Sequence, residues 1–282
     1  MRVLITGASG QLGTELCRVF SAETVLPFDL PDFDLADPNL AERIVQEQPD
    51  LIIHAGAFTD VDGAEREPGR ALAINAGGTE RVAEAARRCG ARLMYISTDY
   101  VFPGTKRTPY EEMDHPAPLN VYGRSKWEGE QAVQRSGAHS LIVRTAWLYG
   151  KHGKNFVKSI MHAARSQTTL QVVADQRGCP TYAEDLAEAL RSLADRRVEG
   201  ILHVTNRGDC TWHEFACAIV AEMGLAIPVH PITTQMAGRL ANRPAYSVLA
   251  QNRVKSMGVI LPDWKDALAR FMRAQQGAMV AP

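Results

Sequence analysis

The run "RVLITGASGQLG" at residues 2–13 limits most strongly what this chain can fold into. Its first five residues are mostly β-branched or apolar, which predicts a short buried strand of a parallel sheet. Gly7, Gly10 and Gly13 follow at once, and apolar residues at helical spacing come next. Glycines permit a tight turn, and the N-terminus of a helix offers unpaired N–H groups to a pyrophosphate. The spacing is GxxGxxG instead of GxGxxG, but its place between a strand and a helix predicts a dinucleotide-binding turn.

The next part of the chain alternates apolar runs with helical patterns. Residues 12–20, 40–48 and 79–89 are typical of helices, and Asn120 can begin another helix that carries "VYGRSK". This rhythm predicts right-handed βαβ units and a doubly wound parallel sheet, an α/β fold of the Rossmann type. The further runs that we predict as strands are residues 24–28, 51–55, 92–97, 140–147 and 169–174.

The regular alternation of strand-like and helical patterns is lost after residue 174. Helical patterns at residues 184–193, 212–223 and 264–272 are separated by loops that contain proline and glycine. We therefore expect two units with an approximate boundary. A dinucleotide-binding domain would occupy residues 1–174, and a smaller, interleaved substrate-binding lobe would occupy residues 175–282, ending in a frayed segment at 277–282.

Composition excludes several classes of protein. The formal net charge of the 282 residues is -1 and the charges are scattered, so we expect neither nucleic acid nor a membrane surface as a partner. No apolar stretch approaches the ~18–20 residues that span a bilayer, and the start lacks the pattern of a signal peptide. The five cysteines form no CxxC pair and the eight histidines no HExxH motif, so we expect reduced thiols and no protein-built metal site. A soluble, cytoplasmic protein is the expectation.

Asp29 ends the second apolar run, roughly 20 residues after the glycines. A carboxylate at this position can bind the 2′-hydroxyl of an adenosine ribose and repels a 2′-phosphate. This favours NADH over NADPH without excluding NADPH. The alternative is that Asp29 and Asp34 only cap turns.

Polar residues crowd the end of the fourth apolar run. Ser97, Thr98, Asp99 and Tyr100 follow one another where the strand leaves the core. Ligands of doubly wound sheets bind outside the carboxyl ends of the strands, so this position favours a functional site over a simple surface turn.

Tyr122 and Lys126 are four residues apart, which places both side chains on one face of a helix. A free phenol has a pKa near ~10, and a nearby ammonium favours the phenolate. We therefore expect Lys126 to lower the pKa of Tyr122, so that the phenol can act as a proton donor. The spacing alone does not establish this role, since Tyr-x-x-x-Lys often occurs by chance, and a phenol packed beside a solvated ammonium is the alternative.

Four motifs together resemble the extended short-chain dehydrogenase/reductase family. They are "GASGQLG" at 7–13, "NAGGT" at 75–79, "STDYVF" at 97–102 and "YGRSK" at 122–126. The resemblance covers residues 3 to about 190, two thirds of the chain, and it continues more loosely in "NRPAYSVL" at 242–249. It implies a Rossmann fold that binds NADPH or NADH.

The resemblance also implies a reaction and a role for each residue of the site. Hydride would pass from the nicotinamide to the 4-keto carbon of dTDP-4-dehydro-6-deoxy-L-mannose, giving dTDP-L-rhamnose. Tyr122 would protonate the sugar C4 oxygen, Lys126 would lower its pKa and hold the nicotinamide ribose, and Thr98 would hydrogen-bond the substrate carbonyl. With Gly13 and Asp29, the expected cofactor-binding residues are Gly7, Gly10, Gln11, Leu12, Ala55, Gly56, Ala57 and Asn75. The expected deoxysugar contacts are Asp99, Tyr100 and Trp147.

Three alternatives stay open. A nucleotide-sugar dehydratase has glutamate directly after the Asp of the Thr-Asp motif, whereas this chain has Tyr100, which favours reduction. An epimerase keeps the Tyr/Lys pair and recycles its NAD. A non-catalytic binding subunit, like the regulatory subunit of methionine adenosyltransferase, is disfavoured because Thr98, Tyr122 and Lys126 are all present.

Further expectations concern a metal ion, the oligomeric state and two single residues. Relatives in the family are associated with Mg²⁺ at a dimer contact, which implies a homodimer and makes Glu15 a conceivable ligand. Trp147 could simply pack in the core, and His54, at the end of a strand, favours a structural role over a catalytic one.

Overall fold

The computed structural model of the chain describes residues 1–280, and the surroundings of side chains as far as residue 275. Ala281 and Pro282, the last part of the segment expected to fray, lie outside the described residues. The strands are β1 (Arg2–Thr6), β2 (Thr24–Phe28), β3 (Leu51–His54), β4 (Arg92–Thr98), β5 (Ser140–Thr145), β6 (Leu148–Tyr149), β7 (Leu170–Val173), β8 (Arg177–Gly178), β9 (Thr181–Tyr182), β10 (Gly200–His203), β11 (Cys210–Thr211) and β12 (Val229–Ile232).

Helices connect most of these strands. The α-helices are α1 (Gln11–Val19), α2 (Leu40–Gln46), α3 (Val61–Arg66), α4 (Pro68–Leu72), α5 (Thr79–Cys89), α6 (Val121–Arg135), α7 (Phe156–Ser166), α8 (Ala183–Asp195), α9 (Trp212–Glu222), α10 (Thr234–Ala237), α11 (Asn252–Ser256) and α12 (Trp264–Val280). A π-helix (Ala73–Gly78) joins α4 to α5, and a 3₁₀-helix (Asp99–Val101) follows β4. Within the described residues, no helix is long and apolar enough to cross a membrane.

Within residues 1–280 the central sheet has six strands in the order β10-β5-β4-β3-β1-β2, and all of them are parallel. The strand order reverses direction at β1 and β3, as a doubly wound sheet requires. Pro27 sits in β2 at the edge of the sheet, where its missing N–H is tolerated. The predicted α/β fold of the Rossmann type is therefore confirmed.

Both faces of the central sheet are buried. In β1, Val3 and Ile5 pack on the side covered by α1 and α8, while Leu4 packs on the side covered by α2 and α5. Each of these three side chains has no exposed surface. Strands covered on both faces read as continuous apolar runs, which explains why "RVLIT" shows no alternation.

One predicted strand belongs to another sheet. Residues 169–174 do contain β7, but β7 pairs with β12 in a separate two-stranded parallel sheet, and the sixth strand of the central sheet is β10. The physical reason is visible in β7 itself, because Gln171 is exposed between buried Leu170 and Val172. A strand with one wet face suits a small sheet on the surface better than the interior of a covered sheet.

The last part of the chain contributes both to the central sheet and to a second apolar core. It supplies β10 to the sheet and α8 to its cover. Its helices α9 and α12 pack with the earlier α7 around Tyr149, Phe215 and Phe271. The division into units at residue 174 stays a prediction.

Candidate active site

The glycine turn between β1 and α1 has no room for side chains. Gly7 has φ of +68°, and a Cβ there would lie 2.6 Å from Gly56 Cα. A Cβ on Gly13 would overlap the carbonyl oxygen of Gly7. Gly10 precedes α1 and supplies no side-chain cap, so backbone N–H groups of the first turn stay available to a ligand. This is the geometry that close approach of a pyrophosphate needs.

Asp29 is joined directly to the glycine turn. Its Oδ2 accepts hydrogen bonds from the backbone N–H of Ser9 at 2.7 Å and from the Ser9 hydroxyl at 2.5 Å. Its Oδ1 accepts one from the N–H of Leu30 at 2.8 Å. Asp29 therefore caps a turn and at the same time lies in the wall of the adjacent cleft, so the two interpretations of this acid are compatible.

A cleft of about 830 Å³ runs from the glycine turn to the end of β4. Cofactor sites have volumes of this order. The cleft brings together residues from β1, β2, β4, β5 and α6 and from the segment that follows β3, as expected at the carboxyl ends of parallel strands. The predicted residues that line it are Gly7, Gly10, Gln11, Leu12, Gly13, Asp29, Ala55, Gly56, Ala57, Thr98, Tyr122, Lys126 and Trp147.

Three predicted site residues do not line this cleft: Asn75, Asp99 and Tyr100. Asn75 lies behind the wall, where its Nδ2 donates to Phe58 O at 3.0 Å and to Ser125 Oγ at 2.9 Å. Its Oδ1 accepts from the N–H of Phe58 at 2.8 Å. The amide thus has hydrogen-bond partners within the protein, and it supports the loop after β3. A direct contact of Asn75 with the cofactor stays a prediction.

The start of α6 is fixed by side chains on both sides of it. Asn120 has extended backbone geometry and its Oδ1 accepts from the N–H of Gly123 at 2.8 Å, which confirms it as the residue that caps the helix. Glu65 Oε1 accepts from the N–H of Val121 at 2.9 Å. Tyr122 therefore occupies the well-ordered first turn, and Lys126 follows one turn later.

The electrostatics of the pair differ from the sequence expectation. Burial raises the pKa of Tyr122 to about 12, opposed in part by the nearby Thr98 hydroxyl. Burial also lowers the pKa of Lys126 to about 7, opposed by the charge of Glu130. The expected lowering of the Tyr122 pKa by Lys126 is wrong, because desolvation of the buried phenol is the largest cause of the shift and raises the pKa. Tyr122 is consequently protonated at neutral pH, as a proton donor must be.

Lys126 Nζ faces the cleft. It lies 4.2 Å from the ring centroid of Tyr95, and it makes no hydrogen bond to another described residue. An ammonium with three unused donors in a cleft can bind hydroxyl or phosphate oxygens of a ligand.

His54 connects neighbouring segments beneath the cleft through hydrogen bonds. Its Nδ1 lies 2.6 Å from Thr6 Oγ1, and its Nε2 lies 3.0 Å from Thr79 Oγ1. Thr6 Oγ1 accepts from the N–H of Gly56 at 3.1 Å, and Thr79 Oγ1 donates to Asn75 O at 2.6 Å. Burial and the charge of Lys126 lower the pKa of His54 to about 3, so the ring is neutral and holds these elements by hydrogen bonds.

Trp147 lies at the rim of the cleft in an unusual backbone conformation. Its φ is +47°, in the left-handed region that bulky residues rarely adopt. Its ring stacks on that of Trp212, with the centroids 3.4 Å apart and the planes at 5°. Gly178 lies flat against the Trp147 ring, since a Cβ there would lie 2.5 Å from the indole. Two other segments of the chain thus hold the Trp147 ring in place.

Sequence reasoning missed several residues of this region. Arg70 and Lys154 add two cations to the cleft lining, and Trp212 supports Trp147 from α9. Behind Lys126, Glu130 binds Arg144 through two hydrogen bonds of 2.7 and 2.9 Å. A signal for Glu130 existed, since Tyr122, Lys126 and Glu130 recur at intervals of four on one helix face. Arg70, Lys154 and Trp212 carry no such local signal in the sequence.

No metal centre is apparent in the part of the chain that the structure describes, where no group of three or more His, Cys, Asp or Glu side chains is arranged to hold an ion. Glu15, the conceivable Mg²⁺ ligand, is buried and its Oε2 accepts from Arg18 Nε at 2.9 Å.

The central sheet is parallel, and a glycine turn follows one of its strands. A tyrosine and a lysine lie one helical turn apart beside the next strands. This is the arrangement of a nicotinamide-dependent oxidoreductase. The family model described as RmlD substrate binding domain matches residues 1–276, and the chain belongs to this family.

Known proteins of high similarity agree with this class. The chain is 42% identical over 284 residues to a dTDP-4-dehydrorhamnose reductase of Mycobacterium tuberculosis, covering 97% of this chain and 93% of the relative. It is 40% identical over 280 residues to the spore coat polysaccharide biosynthesis protein SpsK of Bacillus subtilis, covering 98% and 99%. A crystal structure of dTDP-4-dehydrorhamnose reductase (rfbD) from Bacillus anthracis in complex with NADP superimposes with a TM-score of 0.94 at 42% identity, covering 97% and 99%.

Proposed function

We propose that this protein reduces the 4-keto group of dTDP-4-dehydro-6-deoxy-L-mannose with NADPH or NADH and forms dTDP-L-rhamnose, the last step of dTDP-rhamnose synthesis. One observation carries the proposal: a protonated Tyr122 and an unpaired Lys126 share a cleft with the glycine turn. The names of the relatives support the substrate, and the NADP complex of the rfbD relative supports the cofactor.

The residues of the cleft fit a nicotinamide dinucleotide. The glycine turn and Gln11 would hold the pyrophosphate, and Asp29 would lie beside the adenosine ribose. Lys126 would hold the nicotinamide ribose through its free ammonium donors. When bound, the cofactor supplies the hydride that reduces the carbonyl carbon.

The side chains at the end of β4 and the start of α6 would complete the chemistry. The Thr98 hydroxyl would orient the carbonyl of the substrate, and Tyr122 would release its phenolic proton to the C4 oxygen as negative charge develops there. The high pKa of Tyr122 keeps that proton in place until the oxygen becomes basic. Trp147, fixed by stacking, would form a rigid apolar surface for the deoxysugar.

The experiment is an assay of cofactor oxidation. Purified protein is given dTDP-4-keto-6-deoxyhexose, with and without a 3,5-epimerase, and either NADPH or NADH. We expect substrate-dependent loss of the absorbance of the reduced nicotinamide only when the 3,5-epimerase is present. The Tyr122→Phe variant should bind the cofactor normally and lose about 10²–10⁴-fold in turnover, because it lacks the general acid.

Tyr149→Phe is the matched control. The Tyr149 hydroxyl is buried in the second core without a hydrogen-bond partner among the described residues, and it is outside the cleft lining. Its removal should leave turnover unchanged. Absence of cofactor oxidation in every combination would contradict the reductase proposal. Formation of a sugar isomer without oxidation, in the reaction that lacks the 3,5-epimerase, would favour an epimerase.

A cytoplasmic location and a homodimer stay predictions from the sequence.

A further inference from the structure

The Thr98 hydroxyl has several hydrogen-bonding neighbours but only one proton to donate to them. A threonine hydroxyl has one proton to donate and two lone pairs to accept with. Thr98 Oγ1 accepts from the backbone N–H of Tyr100 at 3.2 Å and lies 3.1 Å from Asp99 Oδ1. It also lines the cleft beside Tyr122. The direction of its single proton therefore depends on what Asp99 does.

Asp99 is buried without a cationic partner. Its side chain is 2% exposed, and Ser247 Oγ donates to its Oδ2 at 2.5 Å. The titratable groups around it are the phenols of Tyr100 and Tyr122 and the thiol of Cys179.

The guanidinium of Arg243, beside the Tyr100 phenol, is already bound to another carboxylate. Arg243 acts on the phenol of Tyr100, but its two terminal nitrogens bind the Asp62 carboxylate at 3.0 and 3.2 Å. Among the described residues no lysine or arginine forms an ion pair with Asp99. A buried carboxyl in such surroundings favours its neutral form.

Two hydrogen-bonding states follow from this geometry. If Asp99 is ionised, it can only accept, and the Thr98 proton is drawn to Oδ1 and away from the cleft. If Asp99 is protonated on Oδ1, it donates to Thr98, whose two lone pairs are then filled by Asp99 and by the N–H of Tyr100. The one remaining proton of Thr98 then points into the cleft, where the Tyr122 phenol and the ligand lie.

We propose that Asp99 is a positioning residue that acts as a neutral acid: it donates a hydrogen bond to Thr98 and so turns the threonine proton toward the substrate carbonyl. The proposal rests on the proposed function, because it assumes that Thr98 binds that carbonyl. It assigns Asp99 a role other than the deoxysugar contact expected from the sequence, which its position behind the cleft wall does not favour. A carboxyl that is kept neutral in order to donate a hydrogen bond is a known device of enzyme sites.

The proposed role of Asp99 predicts that turnover falls at alkaline pH. Burial raises the pKa of Asp99 to about 7, against the hydrogen bonds from Ser247 and Thr98, which lower it. The neutral, productive form is lost as the pH rises through that value, so turnover should fall about 10-fold per pH unit above it. Lys126 also has a pKa lowered to about 7, so a falling limb in the wild type alone does not identify Asp99.

The test is the pH profile of kcat for the wild type and for Asp99→Asn. The asparagine amide donates to Thr98 at every pH and accepts from Ser247, so it imitates the neutral acid permanently. We expect the alkaline limb of the wild type to disappear in Asp99→Asn. A limb of unchanged position and slope in this variant would overturn the proposal and assign the limb to Lys126.

A second variant keeps the test decisive if Asp99→Asn folds poorly. Ser247→Ala removes a hydrogen bond that stabilises the ionised carboxylate, so the limb should move to higher pH. A limb that stays in place or moves to lower pH would contradict the proposal.

One readout does not need turnover. The infrared carbonyl stretch of a protonated carboxyl should be present in the wild type near neutral pH, fade as the pH rises, and be missing from Asp99→Asn. If the wild type turns over no sugar nucleotide but shows this band, the proposed function fails while the protonation of Asp99 stands. If turnover is normal and the band is missing, the inference fails by itself.

Discussion

The buried pair of Glu130 and Arg144 should support both the fold and the position of Lys126. The two side chains are each 2% exposed, and the guanidinium binds the carboxylate through contacts of 2.7 and 2.9 Å. Ser97 Oγ donates to the same carboxylate at 2.5 Å, and the guanidinium carbon lies 5.0 Å from the ring centroid of Phe102. Glu130 is one helical turn from Lys126, so a disturbed carboxylate would be felt at the site.

Arg144→Met leaves the Glu130 carboxylate buried without its partner. Removal of one member of a buried pair costs ~3–5 kcal/mol, and the lost contact with the ring adds roughly 0.5–2 kcal/mol. Methionine has a similar length and keeps part of the packing, so we expect the free energy of unfolding to fall by about 4 kcal/mol in all.

The assay is urea unfolding followed by circular dichroism at neutral pH. Arg124→Met is the matched control, because Arg124 pairs with Glu128 on the same helix but is 65% exposed. Its loss should stay below ~1 kcal/mol. Adding Glu130→Gln to Arg144→Met should recover a large part of the loss, since no unpaired charge is then left in the interior. A loss below ~1 kcal/mol for Arg144→Met, or a double variant no more stable than the single one, would refute the reasoning.

The remaining predictions concern the cleft. Lys126→Met should raise the KM of the cofactor and slow turnover, because the ammonium would hold the nicotinamide ribose; an unchanged KM would argue against that contact. Asp29→Asn should raise the ratio of kcat/KM for NADPH to that for NADH by about 10-fold, since a carboxylate that repels the 2′-phosphate is removed, and a ratio within about twofold of the wild type would contradict it. Trp212→Ala should raise the KM of the sugar nucleotide by about 2–10-fold through loss of the stacking on Trp147, with the cofactor KM unchanged; Trp127→Phe, in a groove separate from the cleft, serves as its control, and equal effects of both variants would speak against the stacking role.

Much of the fold was predictable because its signals are local. The strand, turn and helix at residues 2–19 and the helix at 79–89 each combine an apolar pattern with glycines at the boundary, and the structure confirms both. The placement of β7 and β10 was not predictable in this way, because periodicity shows that a segment is a strand but not which strand it pairs with. Gln171, exposed in β7, was the one residue that indicated a strand outside the covered sheet.

The site, like the fold, was predictable where its signals are local in the sequence. The spacing of Tyr122 and Lys126 placed them on one face of α6, and the structure places both in the cleft. The direction of the Tyr122 pKa shift was wrong because spacing carries no information on burial, which is the dominant cause. Asp99 and Ser247 are 148 positions apart in the chain, so their contact could not be read from either motif.

The central claim is that Tyr122 and Lys126 serve a hydride transfer to C4 of a keto sugar. The most direct measurement uses reduced cofactor that carries deuterium at the transferable position of the nicotinamide, with NMR of the sugar-nucleotide product. The account predicts one deuterium at C4 of the product for every cofactor oxidised, and its near absence over the same time with Tyr122→Phe. Product without deuterium at C4, or the same rate of transfer with Tyr122→Phe as with the wild type, would contradict it.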